Sequence, residues 1–245
     1  MRIAVVGDVH GHENLPPLQS DLDRLGDVDL FLLAGDTTDR NDQEAFGEVL
    51  EAIRAHVRAP IWAVFGNNEY DHDRPTYVTR YGERFGVRFL QDEAATFTAG
   101  GQSVRIVGSV GSLDQPTYWQ RRNMPHLEGE YRRRIGVLDQ LLAGEDAKIL
   151  LTHYPPTHVT MGGEKEAWRP ELGCRALEPV LLRRRPDLVI HGHIHRGIPF
   201  AELVEPRQSL DAFAAPSSPI PVHNVAYPVR KSISILGVDG RPTPP

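Results

Sequence analysis

The sequence predicts an α/β fold arranged as a four-layer αββα sandwich, with two mixed sheets inside and helices outside. Three observations carry this expectation. Short apolar runs, rich in branched residues and bounded by turn residues, read as strands buried on both faces. Amphipathic stripes at helical spacing lie between them. Two stretches then break the alternation of strand and helix with strand-like segments of their own.

The apolar runs come in order at residues 3–6, 30–34, 61–65, 149–152 and 188–190. Each is followed at once, or within a glycine, by a residue type that ligates metal. The first leads to Asp8, the second to Asp36, the third to Asn67, the fourth to His153, and the fifth to His191 and His193, with His195 two residues on. Leu15, Leu18, Leu22 and Leu25 share one helical face after the first strand. Phe46, Val49, Leu50, Ile53 and Val57 share another, with Asn41 as its expected cap and Glu44 three residues later. Tyr131, Ile135, Leu138 and Leu142 form a third stripe, and Leu172, Leu177, Val180 and Leu181 a fourth. The flanking runs Arg132 to Arg134 and Arg183 to Arg185 read as solvated helix faces. Residues 89–108, around Gly100 and Gly101, read as short strands. Residues 220–225 and 232–236 read as antiparallel strands of the second sheet. No composition break divides the chain, so residues 1–245 read as one domain, with 240–245 as a frayed tail.

A chain of 245 residues with 40% hydrophobic residues has enough apolar side chain for a sizeable core. A net charge of −6 disfavours a general nucleic-acid coat. The single cysteine, Cys174, excludes an intramolecular disulfide and reads as a small buried hydrophobe. The chain enters a strand at Arg2 without a charged-then-apolar leader, and no apolar run approaches about 18 residues. The expectation is a soluble, cytoplasmic protein with no membrane contact.

In open α/β sheets, ligands bind at the carboxyl ends of the strands. Carboxylates, an amide and imidazoles arriving together at that edge predict a polynuclear metal site. Asp8 and His10, two apart in an extended segment, face the same way and can grip one ion. A central carboxylate such as Asp36 has two oxygens and can bridge two cations. His193 and His195 can point into one cavity and still serve different ions.

Asp8-x-His10, Gly35-Asp36-x-x-Asp39, Gly66-Asn67-Asn68-Glu69, His153 and Gly192-His193-x-His195 together resemble the calcineurin-like metallophosphoesterase superfamily, whose pattern reads D-x-H, G-D-x-x-D, G-N-H-[DE], H, G-H-x-H. The resemblance implies the αββα sandwich and a site for two divalent ions, manganese first, with iron or zinc as alternatives. By motif position Asp8, His10, Asp36 and His195 would hold one ion, and Asp36, Asn67, His153 and His193 the other, Asp36 bridging. It implies phosphate-ester hydrolysis by a hydroxide lying between ions about 3.5–4 Å apart. Asp39 is expected to orient a ligand or a loop, and Arg40 matches an arginine that some members place near phosphate.

One position departs from the pattern. Asn68 replaces the histidine generally assigned to protonate the leaving oxygen, a role worth ~10²–10⁴-fold. Either another histidine substitutes (His12, His72, His158 and His223 are candidates), or the enzyme favours diesters and activated esters, or fast catalysis has been given up. The expected substrate is a small phosphate ester or nucleotide-like molecule, with phosphodiesters ahead of monoesters and nucleic acid not favoured. A nuclease of the same chemistry and an interaction scaffold on the same fold are the alternatives. Segments 111–125, with Tyr118, Trp119, Arg121 and Arg122, and 154–169 are expected to rim the site.

Overall fold

The computed structural model describes residues 1–144, 146–205, 218–238 and 240. Most of the tail expected to fray, 241–245, lies outside the described residues. The first sheet is built from β1 (Ile3–Val6), β2 (Leu30–Ala34), β3 (Ile61–Val64) and β4 (Val87–Phe89), joined by α1 (Leu15–Leu22), α2 (Gln43–His56) and α3 (Arg74–Phe85). A hairpin of β5 (Glu93–Ala99) and β6 (Gln102–Ser109), turning at Gly100 and Gly101, opens the second sheet. There follow α4 (Tyr118–Asn123), α5 (Leu127–Leu141), β7 (Lys148–Thr152), α6 (Glu178–Arg184), β8 (Leu188–His191), β9 (Phe200–Leu203), β10 (Ile220–Asn224), α7 (Tyr227–Arg230) and β11 (Ser234–Leu236).

The strand order is β11-β1-β2-β3-β4 in one sheet and β5-β6-β7-β8-β10-β9 in the other. Both are mixed. β1 to β4 run parallel with β11 antiparallel at the edge, and β6, β7, β8 and β10 run parallel between antiparallel β5 and β9. Residues 220–224 and 234–236 therefore belong to different sheets, not to one as expected. β11 pairs with β1, while β10 lies beside β8. Local sequence cannot decide between them, because strand partners are chosen by which sheet edge is free and not by the strand's own residues.

Alternation along each strand makes the four layers. Ile3, Val5, Leu30 and Leu32 of the first sheet meet Ile106, Ile149, Leu151 and Ile190 of the second in one apolar layer. The intervening Ala4, Val6, Phe31 and Leu33 turn outward onto α1 and α2. Val107, Leu150, Val189 and Val222 turn outward onto α5 and α6. With both faces covered, every residue of β1, β2, β3, β7 and β8 is buried, which is why these strands read as continuous apolar runs. Each Leu or Ile taken from water in this way contributes about 1.5–3 kcal/mol.

Three details differ from expectation. α2 is capped by Asp42, which accepts from the Glu44 and Ala45 amides, because Asn41 has a φ of +62° and Asp42 the extended backbone a cap requires. The fourth stripe is broken into 3₁₀ turns at Glu166–Glu171 and Arg175–Leu177 before α6, so Leu172 is only half-buried. Arg134 is buried on α5, its Nε 3.0 Å from both Asp92 oxygens, whereas Arg132 and Arg133 stay exposed. α3 was not legible as a helix, since its buried face is only Tyr77 and Tyr81. Cys174 is free and buried as expected, and burial pushes its thiol up to about 12. No helix among the described residues is long and apolar enough to cross a membrane.

His223 on β10 is buried, facing the Gly240 carbonyl through Nε2 at 3.0 Å and Arg230 through Nδ1 at 2.9 Å. Burial and the Arg230 charge lower its pKa to about 4. The folded protein thus resists a proton that the unfolded chain accepts below about 6.5, and stability falls as pH drops from there toward 4, by up to about 3 kcal/mol. His223→Gln, offering an amide donor and acceptor in its place, should flatten that dependence; urea midpoints at pH 7 and pH 5 measure it.

Candidate metal centre

The strand ends meet across the seam between the sheets. Parallel pairing in register brings the carboxyl ends of β1, β2 and β3 to one edge, and those of β7, β8 and β10 to the facing edge. Main-chain bonds join the two. Gly7 donates to the Val225 carbonyl at 3.0 Å, and Val225 donates to the His191 carbonyl at 2.8 Å. His153 reaches from β7 across to β2, its Nδ1 lying 3.0 Å from the Ala34 carbonyl. That bond places the proton on Nδ1 and leaves the Nε2 lone pair facing the site.

Two groups of side chains result. Asp8, His10 and His195 bring one ligand atom each within 4.8 Å of one another, and so do Asp36, His153 and His193. Asn67 joins the second group, its Oδ1 3.1 Å from His153 Nε2. All seven ligand candidates named from sequence are therefore brought together.

Four of them, Asp8, His10, Asp36 and His193, have positive φ, between 48° and 69°. Such backbone costs roughly 1–3 kcal/mol per residue and persists only where the surroundings enforce it. Here the loops are zipped by bonds from the Asp8 amide to Gly35 O, His10 to Asp36 O and Gly11 to Thr37 O, at 2.9–3.1 Å. Two glycines admit the carboxylates. A Cβ on Gly66 would sit 2.1 Å from Asp36 Oδ1, and one on Gly192 2.3 Å from Asp8 Oδ2. These glycines thus clear room for the two carboxylates themselves.

Asn68 is held by three bonds. Its backbone N–H donates to Asp36 Oδ1 at 2.8 Å and its Nδ2 to Asp36 Oδ2 at 2.7 Å, while its Oδ1 accepts from the Arg40 amide at 3.1 Å. Arg40 thus touches the site through its main chain. Its guanidinium is exposed, with Nε 3.4 Å from Asp39. Asp39 Oδ1 lies 4.0 Å from His10 Nδ1, behind the face that His10 turns to the cluster. Of the spare histidines, His72 lines the large cavity that contains Asn68 and His193, and His12 lines a smaller one with His10. His158 faces Asp114 at 3.1 Å, and His223 is committed to Gly240 and Arg230.

Three supporting residues were not singled out from sequence. Glu69, buried, accepts from the amides of Asp36 (3.1 Å), Thr38 (3.1 Å) and Gly66 (2.7 Å), clasping the loops after β2 and β3. Tyr154 sets its ring edge-on to His193, centroids 4.8 Å apart. Buried Asn224 donates to the Ile194 carbonyl at 2.8 Å and steadies the His193–His195 turn. The rule that flagged the other strand ends would have found Asn224, a polar residue closing the apolar segment 220–224.

The electrostatics are those of a cation site. Burial and the neighbouring Asp8 charge push the Asp36 carboxyl up to about 7. Burial would raise Asp8 too, but the His195 hydrogen bond and the surrounding imidazoles hold it low. Burial keeps His153 and His193 neutral, with lone pairs available. His10 and His195 turn their Nε2 atoms to within 3.3 Å of each other and 3.9 and 3.0 Å from Asp8 Oδ1, converging on a volume that a cation would satisfy. An oxygen-and-imidazole donor set fits manganese, iron or zinc.

A two-sheet α/β fold with paired carboxylate and imidazole clusters at its strand ends defines the class of metal-dependent phosphoester hydrolases. The family described as calcineurin-like phosphoesterase matches residues 1–197, and the chain belongs to it. No curated protein matches the chain. Among solved structures it is similar to TT1561 of Thermus thermophilus, with TM-score 0.61 and 15% identity over 97% of this chain and 94% of that one. It is also similar to a phosphopantetheinyl hydrolase of Mycobacterium tuberculosis (0.60, 16%, 92% and 89%). A purple acid phosphatase from yellow lupin seeds aligns over 85% of this chain and 39% of its own, at TM-score 0.50 and 15% identity. At such identities the likeness is one of fold.

Glu69→Ala should leave three buried amides without an acceptor and destabilise the fold by about 3 kcal/mol. Glu69→Gln, which keeps one oxygen acceptor, should lose less. Urea unfolding with a chelator present separates this from any metal contribution.

Proposed function

We propose that the protein is a binuclear, manganese-preferring phosphodiesterase, formed by residues 1–245 as one domain and working in the cytoplasm, where a single free, buried cysteine is in keeping with a reducing environment. Asp8, His10, Asp36 and His195 hold one ion, and Asp36, Asn67, His153 and His193 the other. Asp36 as the bridge is supported by the charges it feels from Asp8 and His10, both members of the other cluster. Bound there, two divalent ions supply hydroxide from water at neutral pH and offset charge on the phosphoryl oxygens.

The residues of the chain do the rest. The Ala34 carbonyl fixes the His153 tautomer, Asp39 backs His10, and Asn68 and Glu69 set the rotamer and loop of Asp36. The observation that carries the diester preference is Asn68. Its amide is tied to Asp36 and Arg40 and has no proton to give a departing oxygen. A monoester dianion with a poor leaving group suffers most from that lack, and a diester with a better one least.

Bis(p-nitrophenyl) phosphate should be hydrolysed faster than the corresponding monoester when manganese is added, and the reverse order would sink the diester reading. Asp36→Asn and His153→Ala should each abolish turnover and weaken manganese binding, followed by calorimetry. Asn68→His should raise monoester hydrolysis about tenfold or more; no change would mean that position 68 does not set the preference.

A further inference from the structure

A cavity of about 720 Å³ includes Asn67, Asn68 and His193 in its wall. Its size suits an organic group of drug-like dimensions. Away from the metal ligands it is lined by Val110, Leu113, Trp119, Met124, Leu127 and Leu172, supplied by the segments before β7 and before α6. Trp119 is 62% exposed, so its ring retains apolar surface that a ligand can cover. It stands on α4, which is pinned by a Thr117–Gln120 capping box and by Arg121 bonded to Glu171 at 2.9 Å.

Charge in this wall is distributed unevenly. Its two arginines are committed elsewhere. Arg74 holds Asp71 and the Gly66 and Glu69 carbonyls, and Arg134 holds Asp92 and the Gly111 carbonyl. Glu171 faces Arg121, and Glu69 clasps three amides. Among the described residues, the half-buried Glu130 carboxylate of the same wall has no ion-pair or hydrogen-bond partner. His72 of the same wall faces Asp73 at 3.1 Å. Among the described residues, the cavity beyond the metal cluster therefore offers apolar surface and one free negative charge, with no uncommitted guanidinium, ammonium or imidazole for a second anion.

We propose that this cavity selects an ester with a single phosphate and an uncharged, largely apolar group, with Trp119 covering that group and Glu130 repelling any further phosphate. The proposal rests on the phosphoesterase reading above and adds the substrate class. It disfavours polyphosphates and oligonucleotides, whose additional anions would meet Glu130 without a compensating cation.

Four p-nitrophenyl esters with one leaving group test it: bis(p-nitrophenyl) phosphate, methyl p-nitrophenyl phosphate, and thymidine 5′-(p-nitrophenyl) phosphate with and without a 3′-phosphate. The 3′-phosphate should lower kcat/KM at least tenfold, and Glu130→Lys should shrink that penalty about tenfold. Trp119→Ala should raise KM for the bis-aryl ester about tenfold more than for the methyl ester. Equal use of both thymidine esters, or equal effects of Trp119→Ala on the aryl and methyl esters, would overturn the proposal. Should none of the esters turn over, the phosphoesterase reading fails, and binding decides the cavity separately. Metal-free protein titrated by Trp119 fluorescence, with Trp119→Phe as the blank, should bind diphenyl phosphate at least tenfold more tightly than thymidine 3′,5′-bisphosphate. Equal or reversed affinities would overturn the cavity assignment.

Discussion

Asp8 and Asp36 lie out of water at the seam where two sheets meet, 0% and 2% exposed, and the Asp8 charge raises the cost of ionising Asp36. Two buried carboxylates so placed are unstable as a pair of anions unless a proton or cations share the space. The surrounding structure answers this constraint. Neutral imidazoles enter from the opposite sheet, a backbone amide donates to one oxygen of each carboxylate, and the ring nitrogens turn toward the same volume. The burial pattern of the fold thus suits cations at this seam, before any substrate is considered.

Holding that arrangement takes a second layer of contacts. Four ligand candidates sit in left-handed backbone, and the strain is offset by loop-to-loop amide bonds and by Glu69, which gathers the amides of two loops on one carboxylate. Asn68 belongs to this layer, because all three of its bonds serve to orient Asp36 and the loop after it. The same side chain that cannot donate a proton stiffens a ligand candidate.

The ligand candidates and the cavity walls come from different parts of the chain. The candidates emerge from the strand ends, where parallel pairing fixes them to the sheets. The cavity walls come from long connections between strands, where α4 and the start of α5 face the turns around Glu171. Connections of this kind can vary without disturbing the sheets.

The sequence by itself determined the strands that carry the site, the helical stripes, the sandwich and the seven ligand candidates, because burial on both faces and a polar residue at a strand end are local patterns. It could not show that the ligand candidates arrive from two sheets, that residues 220–224 and 234–236 part company, or that Arg40 uses its main chain. Nor could it reveal α3, whose packing needs only two tyrosines, or the partner of Glu69. Those outcomes depend on which edges pair and which loops touch, and such contacts join residues far apart in the chain. The identity at position 68 was plain from the start; only the tertiary structure decided that Asn68 serves Asp36, because a side chain's role is set by what it faces.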